Sequence, residues 1–179
     1  MADFDERTLL ERCRSGQDDA AFAELVERYK DLVFGLVHRL TRDRAEADDM
    51  AQEVFLKIHR GLPYFRGEAK LSTWIYRIVF NVCSRARAGR RRDLPLDRGD
   101  DMPPIDPGAH DAAFADIELR DRLAKALAEL PDNYRFLIAA HYLRGVQYEA
   151  LAEALEMPIG TVKTHLYRAK RLLRERLSR

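Results

Sequence analysis

The stretch from Glu149 to Leu173, EALAEALEMPIGTVKTHLYRAKRLL, restricts the fold more than any other part of this chain. Two helical patterns are separated by a break at Glu156-Met157-Pro158. The first carries Leu151, Ala152 and Leu155. The second carries Ile159, Val162, Leu166, Ala169, Leu172 and Leu173, close to the i, i+3, i+4, i+7 spacing of one buried helix face. That spacing leaves Lys163, Thr164, His165, Tyr167, Arg168 and Arg171 to face outward. Two helices with a tight turn, the second polar and basic on its free face, form the pattern of a helix-turn-helix that reads DNA. An ordinary αα-hairpin with a solvated basic face fits the same periodicity. Three details favour DNA: Ala152 at a close helix approach, the β-branched wedge Val162, and Gly160-Thr161, small and hydroxylic enough to sit against a phosphate. Glu156 stands where such a turn prefers glycine. A left-handed backbone there costs a non-glycine residue roughly 1 kcal/mol.

A chain of 179 residues holds one domain or two small ones. It is 34% charged, with no apolar run near the length that spans a bilayer. The N-terminus MADFDERTLLERC is acidic and lacks an apolar signal-peptide core, so a cytoplasmic protein without membrane insertion is expected. Cys13 and Cys83 are too few for a disulfide framework and lack metal-ligand spacing; reduced, packed thiols are expected. The net charge of +1 hides strong segregation. Arg85, Arg87, Arg90, Arg91 and Arg92 form a basic run. Asp93 to Glu118 holds eight acids against Arg98 alone, and Lys163 to Arg179 is basic with Glu175 its only acid. Local patches, not the total, decide whether nucleic acid is a partner.

In chain order, Asp5 to Arg14 reads as a short helix stopped by Ser15-Gly16, and Asp19 to Leu40 as a long one. A third opens at Asp43, with Glu46 completing a capping-box pattern, and runs to about Arg60. Ala47, Met50, Ala51, Val54 and Ile58 face inward there, leaving Asp48, Asp49, Gln52 and Glu53 outside. Gly61 to Leu71 is a loop that carries Tyr64 and Phe65. The fourth helix is capped by Ser72, with Trp74, Ile75, Ile78, Val79 and Val82 on its inner side. Thr73, Tyr76, Arg77, Phe80, Asn81, Ser84 and Arg85 lie on or beside the other. Aromatics interleaved with arginines suit unpaired bases, although a core stripe with a solvated basic end has the same spacing, and Trp74 reads as core. Residues 93–111 break every periodic pattern and read as a linker. Helix resumes over Ala112 to Glu129, and Pro131-Asp132 begins another that Gly145 ends. No strand alternation occurs. The expected fold is all-α: two small helical domains, 1–92 and 112–179, joined by a flexible acidic linker containing Pro and Gly, the second ending in the helix-turn-helix.

In combination these motifs resemble the extracytoplasmic-function (ECF) sigma factors of bacterial RNA polymerase, over about Phe22 to Leu177. AEADDMAQEVFLKIHR resembles the family's core-binding helix, FRGEAKLSTWIYRIVFN its promoter-melting segment, and LPDNYRFLIAAHYLRGVQYEALAEALEMPIGTVKTHLYRAKRLL its second domain. The resemblance implies that Asp48, Asp49, Gln52 and Glu53, with Phe55 beside them, dock on a basic coiled coil of the polymerase largest subunit. It implies that Phe65, Ile78 and Asn81 receive a flipped base of the −10 element while Arg77, Arg85 and Arg87 hold phosphates. It places Thr161, Lys163, Thr164, His165, Tyr167, Arg168 and Arg171 at the −35 element. An anti-sigma factor is an implied partner, beside core polymerase and promoter DNA. The chain departs from the family pattern at Ser84-Arg85-Ala86-Arg87, where an aspartate is common, and at Glu156. No catalytic residue, cofactor or metal is expected: there is no nucleotide-binding glycine loop, metal constellation or supported nucleophile set. A stand-alone helix-turn-helix regulator that binds duplex DNA as a dimer is the alternative.

Overall fold

Helical periodicity accounts for every regular element in the computed structural model, which describes residues 2–14, 18–41, 43–88 and 117–178. Among these residues the elements are α1 (Ala2–Arg14), α2 (Asp19–Leu40), α3 (Arg44–Gly61), a 3-10 turn (Leu62–Tyr64), α4 (Leu71–Ala88), α5 (Ile117–Ala128), α6 (Asp132–Arg144), α7 (Tyr148–Leu155) and α8 (Ile159–Leu177). The chain divides into two compact units, Met1–Cys83 and Ser84–Arg179. The linker expected over 93–111 and the helix start expected at Ala112 lie outside the described residues.

In the first unit α2 is the spine. Ala21, Leu25, Tyr29, Val33, Leu36, Val37 and Leu40 are buried at helical spacing, and the resulting stripe packs chiefly on α3. Asp18 caps α2 by accepting from the Ala21 amide at 2.8 Å, as the first-turn donors of a helix require. Arg12 of α1 holds that cap from outside, 2.9 Å from Asp18, and its guanidinium keeps the Asp18 carboxyl below the usual range. The Tyr29 hydroxyl donates to Glu6 at 2.9 Å and ties α1 to the spine. Burial, then Glu6, pushes the Tyr29 phenol far up, so it stays a donor. Asp43 caps α3 as expected, accepting from the Ala45 amide at 2.9 Å. The expected cap at Ser72 is not the start of α4. The helix opens at Leu71, 1% exposed, and the Trp74 amide bonds to the Lys70 carbonyl. Burial of one leucine moved the boundary past the residue with capping chemistry.

The second unit is organised around α6, whose residues Arg135 to Ala140 are all buried, as for a helix surrounded on every side. Among them is a charge. Arg135, 2% exposed, donates from Nε to the Leu127 carbonyl at 2.8 Å, and from one Nη to those of Ala128 and Leu130 at 2.7 and 2.8 Å. These carbonyls lie at and just beyond the end of α5, where Leu127 also accepts from the Leu130 amide at 3.1 Å, so the guanidinium fork reinforces one helix terminus from inside the next helix. Gly145 ends α6 with φ 68°, its amide bonding to the His141 carbonyl at 3.0 Å.

The turn between α7 and α8 does adopt the left-handed conformation at Glu156, with φ 54° and ψ 41°. It is the one non-glycine residue with positive φ among the described residues. The Met157 amide bonds to Ala152 at 2.9 Å and the Glu156 amide to Glu153 at 3.3 Å, the paired bonds that close a helix C-terminus. Ala154, rather than Ala152, is the fully buried small residue of α7.

Glu156→Gly removes a strain of about 1 kcal/mol and is expected to hold or raise the unfolding midpoint; a fall of several degrees would show that the Glu156 side chain stabilises the turn by more than its backbone costs. Arg135→Met keeps an unbranched, buried side chain but removes the donors that reach these carbonyls. It should cost about 3 kcal/mol and lower the midpoint by roughly 10 °C or more. A shift within two or three degrees would contradict the role given to the guanidinium.

Candidate nucleic-acid and protein interface

Since α3 commits Ala47, Met50, Ala51, Val54 and Ile58 to the core, its free face at about 100° per residue consists of Asp48, Asp49, Gln52, Glu53 and Leu56, all exposed. Leu56 stands nearest the centre of that face and is 56% exposed. The sequence signal for it is its register, seven residues after Asp49 and four after Gln52; a leucine is otherwise assumed to point inward. Phe55, expected beside the acids, is half-buried on the α2 side with its ring 6.3 Å from Phe34. Asp48 lies 3.3 Å from His38 Nε2, and Glu53 lies 3.3 Å from Lys57. Exposed pairs of this kind contribute about 0–1 kcal/mol, so the carboxylates stay open to a stronger basic partner.

On α4, Trp74, Arg77, Ile78, Asn81 and Arg85 recur at intervals of three and four and so share one face. Asn81 and Arg85 are exposed; Trp74, Arg77 and Ile78 are half-buried. Phe65 meets this face through Trp74, with ring centroids 5.1 Å apart, and is itself buried. The structure therefore brings Phe65, Arg77, Ile78, Asn81 and Arg85 to one side of α4, while the Arg87 side chain lies outside the description. Two expectations are corrected. Trp74 and Ile78 are partly exposed rather than core, and Thr73 and Tyr76 are buried rather than outward. Trp74 makes a close approach to the end of α3. A Cβ on Gly61 would stand 2.7 Å from Trp74 Cζ2, so glycine there lets the indole lie across the loop.

On α8, Val162, Leu166 and Ala169 are buried, which directs Thr164, Tyr167, Arg168 and Arg171 away from the core. Tyr167 is 46% exposed, and Arg171 is exposed with Glu175 3.6 Å away. The Thr164 hydroxyl donates to the Gly160 carbonyl at 2.9 Å. Thr161 is half-buried on one flank. Lys163 lies on the other, its Nζ 5.9 Å from the centre of the Tyr148 ring on α7. No atom approaches the Cβ position of Gly160 within 4 Å, leaving open space at the start of the helix. His165, expected outward, is half-buried: three residues after Val162, it falls about 60° from the core direction. Its ring lies 5.3 Å from Tyr134 of α6, and Nδ1 is buried without a hydrogen-bond partner. Burial first, then Arg168, pull the imidazole pKa below its ordinary 6.5, so it is neutral at pH 7.

Among the described residues no group of His, Cys, Asp and Glu is placed to hold a metal ion, and no helix is long and apolar enough to cross a membrane. Cys13 and Cys83 are buried and not joined in a disulfide, and burial pushes the Cys13 thiol up.

Residues 25–93 match the Sigma-70 region 2 family and residues 120–173 the Sigma-70 region 4 family. The RNA polymerase sigma-H factor of Pseudomonas aeruginosa is 33% identical over 92% of this chain and 90% of its own length. The ECF sigma factor SigW of Bacillus subtilis is 30% identical over 94% of each. The chain belongs to the ECF sigma factors. Solved structures share the fold: CnrH, in complex with the cytosolic domain of CnrY, has a TM-score of 0.70 at 22% identity and covers 96% of both chains. The sigma factor RpoE of Bartonella quintana, in complex with the anti-sigma factor NepR, has 0.64 at 24% identity and covers 88% of this chain and 96% of its own.

In this ECF sigma factor the lowered His165 pKa has a definite sign. The folded state binds fewer protons than the unfolded state below pH 6.5. The contribution of His165 to stability is therefore complete above the unfolded pKa and is lost as pH falls through the folded one. NMR titration should place the His165 imidazole midpoint below 6.5, and His165→Gln should flatten the acid-side fall of the unfolding midpoint. An imidazole midpoint at or above 6.5 would contradict the buried, neutral ring.

Proposed function

We propose that this ECF sigma factor acts as a non-catalytic promoter-specificity subunit in the cytoplasm, with each of the three exposed helix faces assigned to one partner. The α3 face, with Asp48, Asp49, Gln52 and Glu53 around Leu56, docks on a basic helical element of core polymerase. The carboxylates steer the encounter and the leucine supplies desolvated contact, aided by the half-buried Phe55. The α4 face with Phe65 takes the opened −10 element. Asn81 reads a base edge, Ile78 and the Phe65–Trp74 pair supply an apolar wall, and Arg77, Arg85 and Arg87 hold phosphates. The α8 face lies in the major groove of the −35 element, with Arg168, Thr164 and Tyr167 toward bases and Thr161, Lys163 and Arg171 toward the backbone. His165 supports this helix from its half-buried flank and is the least direct of the contacts. An anti-sigma factor is the proposed regulator, in keeping with the relative crystallised with one.

The observation that carries this reading is the acidic α3 face centred on an exposed leucine, in the same chain as a basic helix-turn-helix. A stand-alone regulator gives that face no work. Capture of purified core polymerase tests it. Asp49→Lys with Glu53→Lys, and separately Leu56→Asn, should each weaken capture about tenfold or more, the scale of 1.4 kcal/mol. Neither should lower the unfolding midpoint by more than a few degrees. Unchanged capture by both would show that α3 is not the docking face.

A further inference from the structure

The last two turns of α8 reach beyond the core that holds the rest of the helix. Val162, Leu166 and Ala169 are its buried residues, and from Lys170 to Leu177 every side chain is half-buried or exposed. That stretch is about 12 Å long and carries Arg171, one of the residues assigned to the −35 backbone. Helix α5 packs on α8, and two arginines, one from each helix, join them at the far end. Arg176 donates from Nε to the Glu129 carboxylate at 3.0 Å. In return Arg122 of α5 donates to the Leu177 carbonyl at 2.6 Å, one of the last four carbonyls of α8, which have no donor ahead of them in the helix. A cation at that end also complements the helix dipole. Glu129 sits between Ala128 and Leu130, whose carbonyls take hydrogen bonds from the buried Arg135, so the anchor for Arg176 is itself fixed from the core. Arg171 is exposed, with Glu175 3.6 Å away, whereas Arg176 is half-buried. Within one basic helix end, Arg171 is turned outward and Arg176 back on the protein.

We propose that Arg122, Glu129 and Arg176 are positioning residues for the recognition helix: they fasten the end of α8 to α5 and so hold Arg171 at the angle that meets the −35 backbone, without touching DNA themselves. This role rests on the −35 reading given above. Holoenzyme reconstituted with the full chain tests it, the probe being a fluorescein-labelled duplex that carries a promoter the wild-type holoenzyme transcribes. Glu129→Gln separates the two effects by sign. Removing an acid beside a basic helix strengthens DNA binding if charge alone matters; loosening the end of α8 weakens it. Glu129→Gln and Arg176→Gln are each expected to weaken binding about two- to fivefold, the range open to an exposed ion pair, and Arg122→Gln should act in the same direction. Exchanging the charges, with Glu129→Arg and Arg176→Glu together, should recover most of the affinity. In an Arg171→Gln background Arg176→Gln should cost little more, because a positioning residue acts through the residue it places, whereas independent phosphate contacts add. Additive losses would make Arg176 a DNA contact in its own right and overturn the positioning role. So would Glu129→Gln binding as tightly as wild type or tighter while Arg168→Ala and Arg171→Gln weaken binding, a result that leaves the −35 reading standing. If neither Arg168→Ala nor Arg171→Gln weakens binding, the −35 reading falls and the positioning role with it.

Discussion

A helix that gives one face to a core has only the opposite face left for a partner, and that constraint governs everything functional in this chain. At 3.6 residues per turn the two faces cannot be varied independently in position, only in residue type. Burying Ala47, Met50, Ala51, Val54 and Ile58 aims Asp49, Gln52 and Leu56 outward. Burying Val162, Leu166 and Ala169 does the same for Thr164, Tyr167 and Arg168. The α2 spine and the buried middle of α6, Arg135 to Ala140, are the two surfaces against which those orientations are set.

Holding such helices in place requires their termini to be closed, and the chain uses unequal means. Asp18 and Asp43 cap α2 and α3 with local side-chain acceptors. The end of α5 is closed instead by Arg135 from within α6, where a buried cation is tolerated because its donors meet the carbonyls of Leu127, Ala128 and Leu130. Glu156 closes α7 against its own backbone preference. A recognition helix that binds as part of a larger assembly needs correct placement more than high affinity, since core and the other unit raise its effective concentration at DNA. A strained turn is compatible with that duty.

Most of the fold was legible in the sequence because its determinants are local. The α2 limits and the Asp43 cap are set by helical period and by acceptor side chains within three residues of the amides they serve. What stayed hidden depends on contacts distant in sequence. Ser72 has capping chemistry, yet Leu71 is drawn into the core and starts α4 earlier. Trp74 reads as core from its type, and only the Gly61 approach shows that its ring lies across the loop. Nothing local in the sequence marks Arg135 as buried; the three carbonyls around it come from the preceding helix end and turn. His165, expected outward, and Leu56, not singled out, are of a different kind. Helical register alone marks the first as half-buried and the second as central to the acidic face.

The central claim is that one chain, through two helical units, makes core polymerase specific for a promoter. The direct measurement is run-off transcription by purified core polymerase from a promoter library, with and without the full chain. The account predicts specific transcripts that appear only when both are present, share two sequence elements, and are absent with core or chain alone. No transcription, together with tight binding of the chain by itself to a double-stranded palindrome, would contradict it.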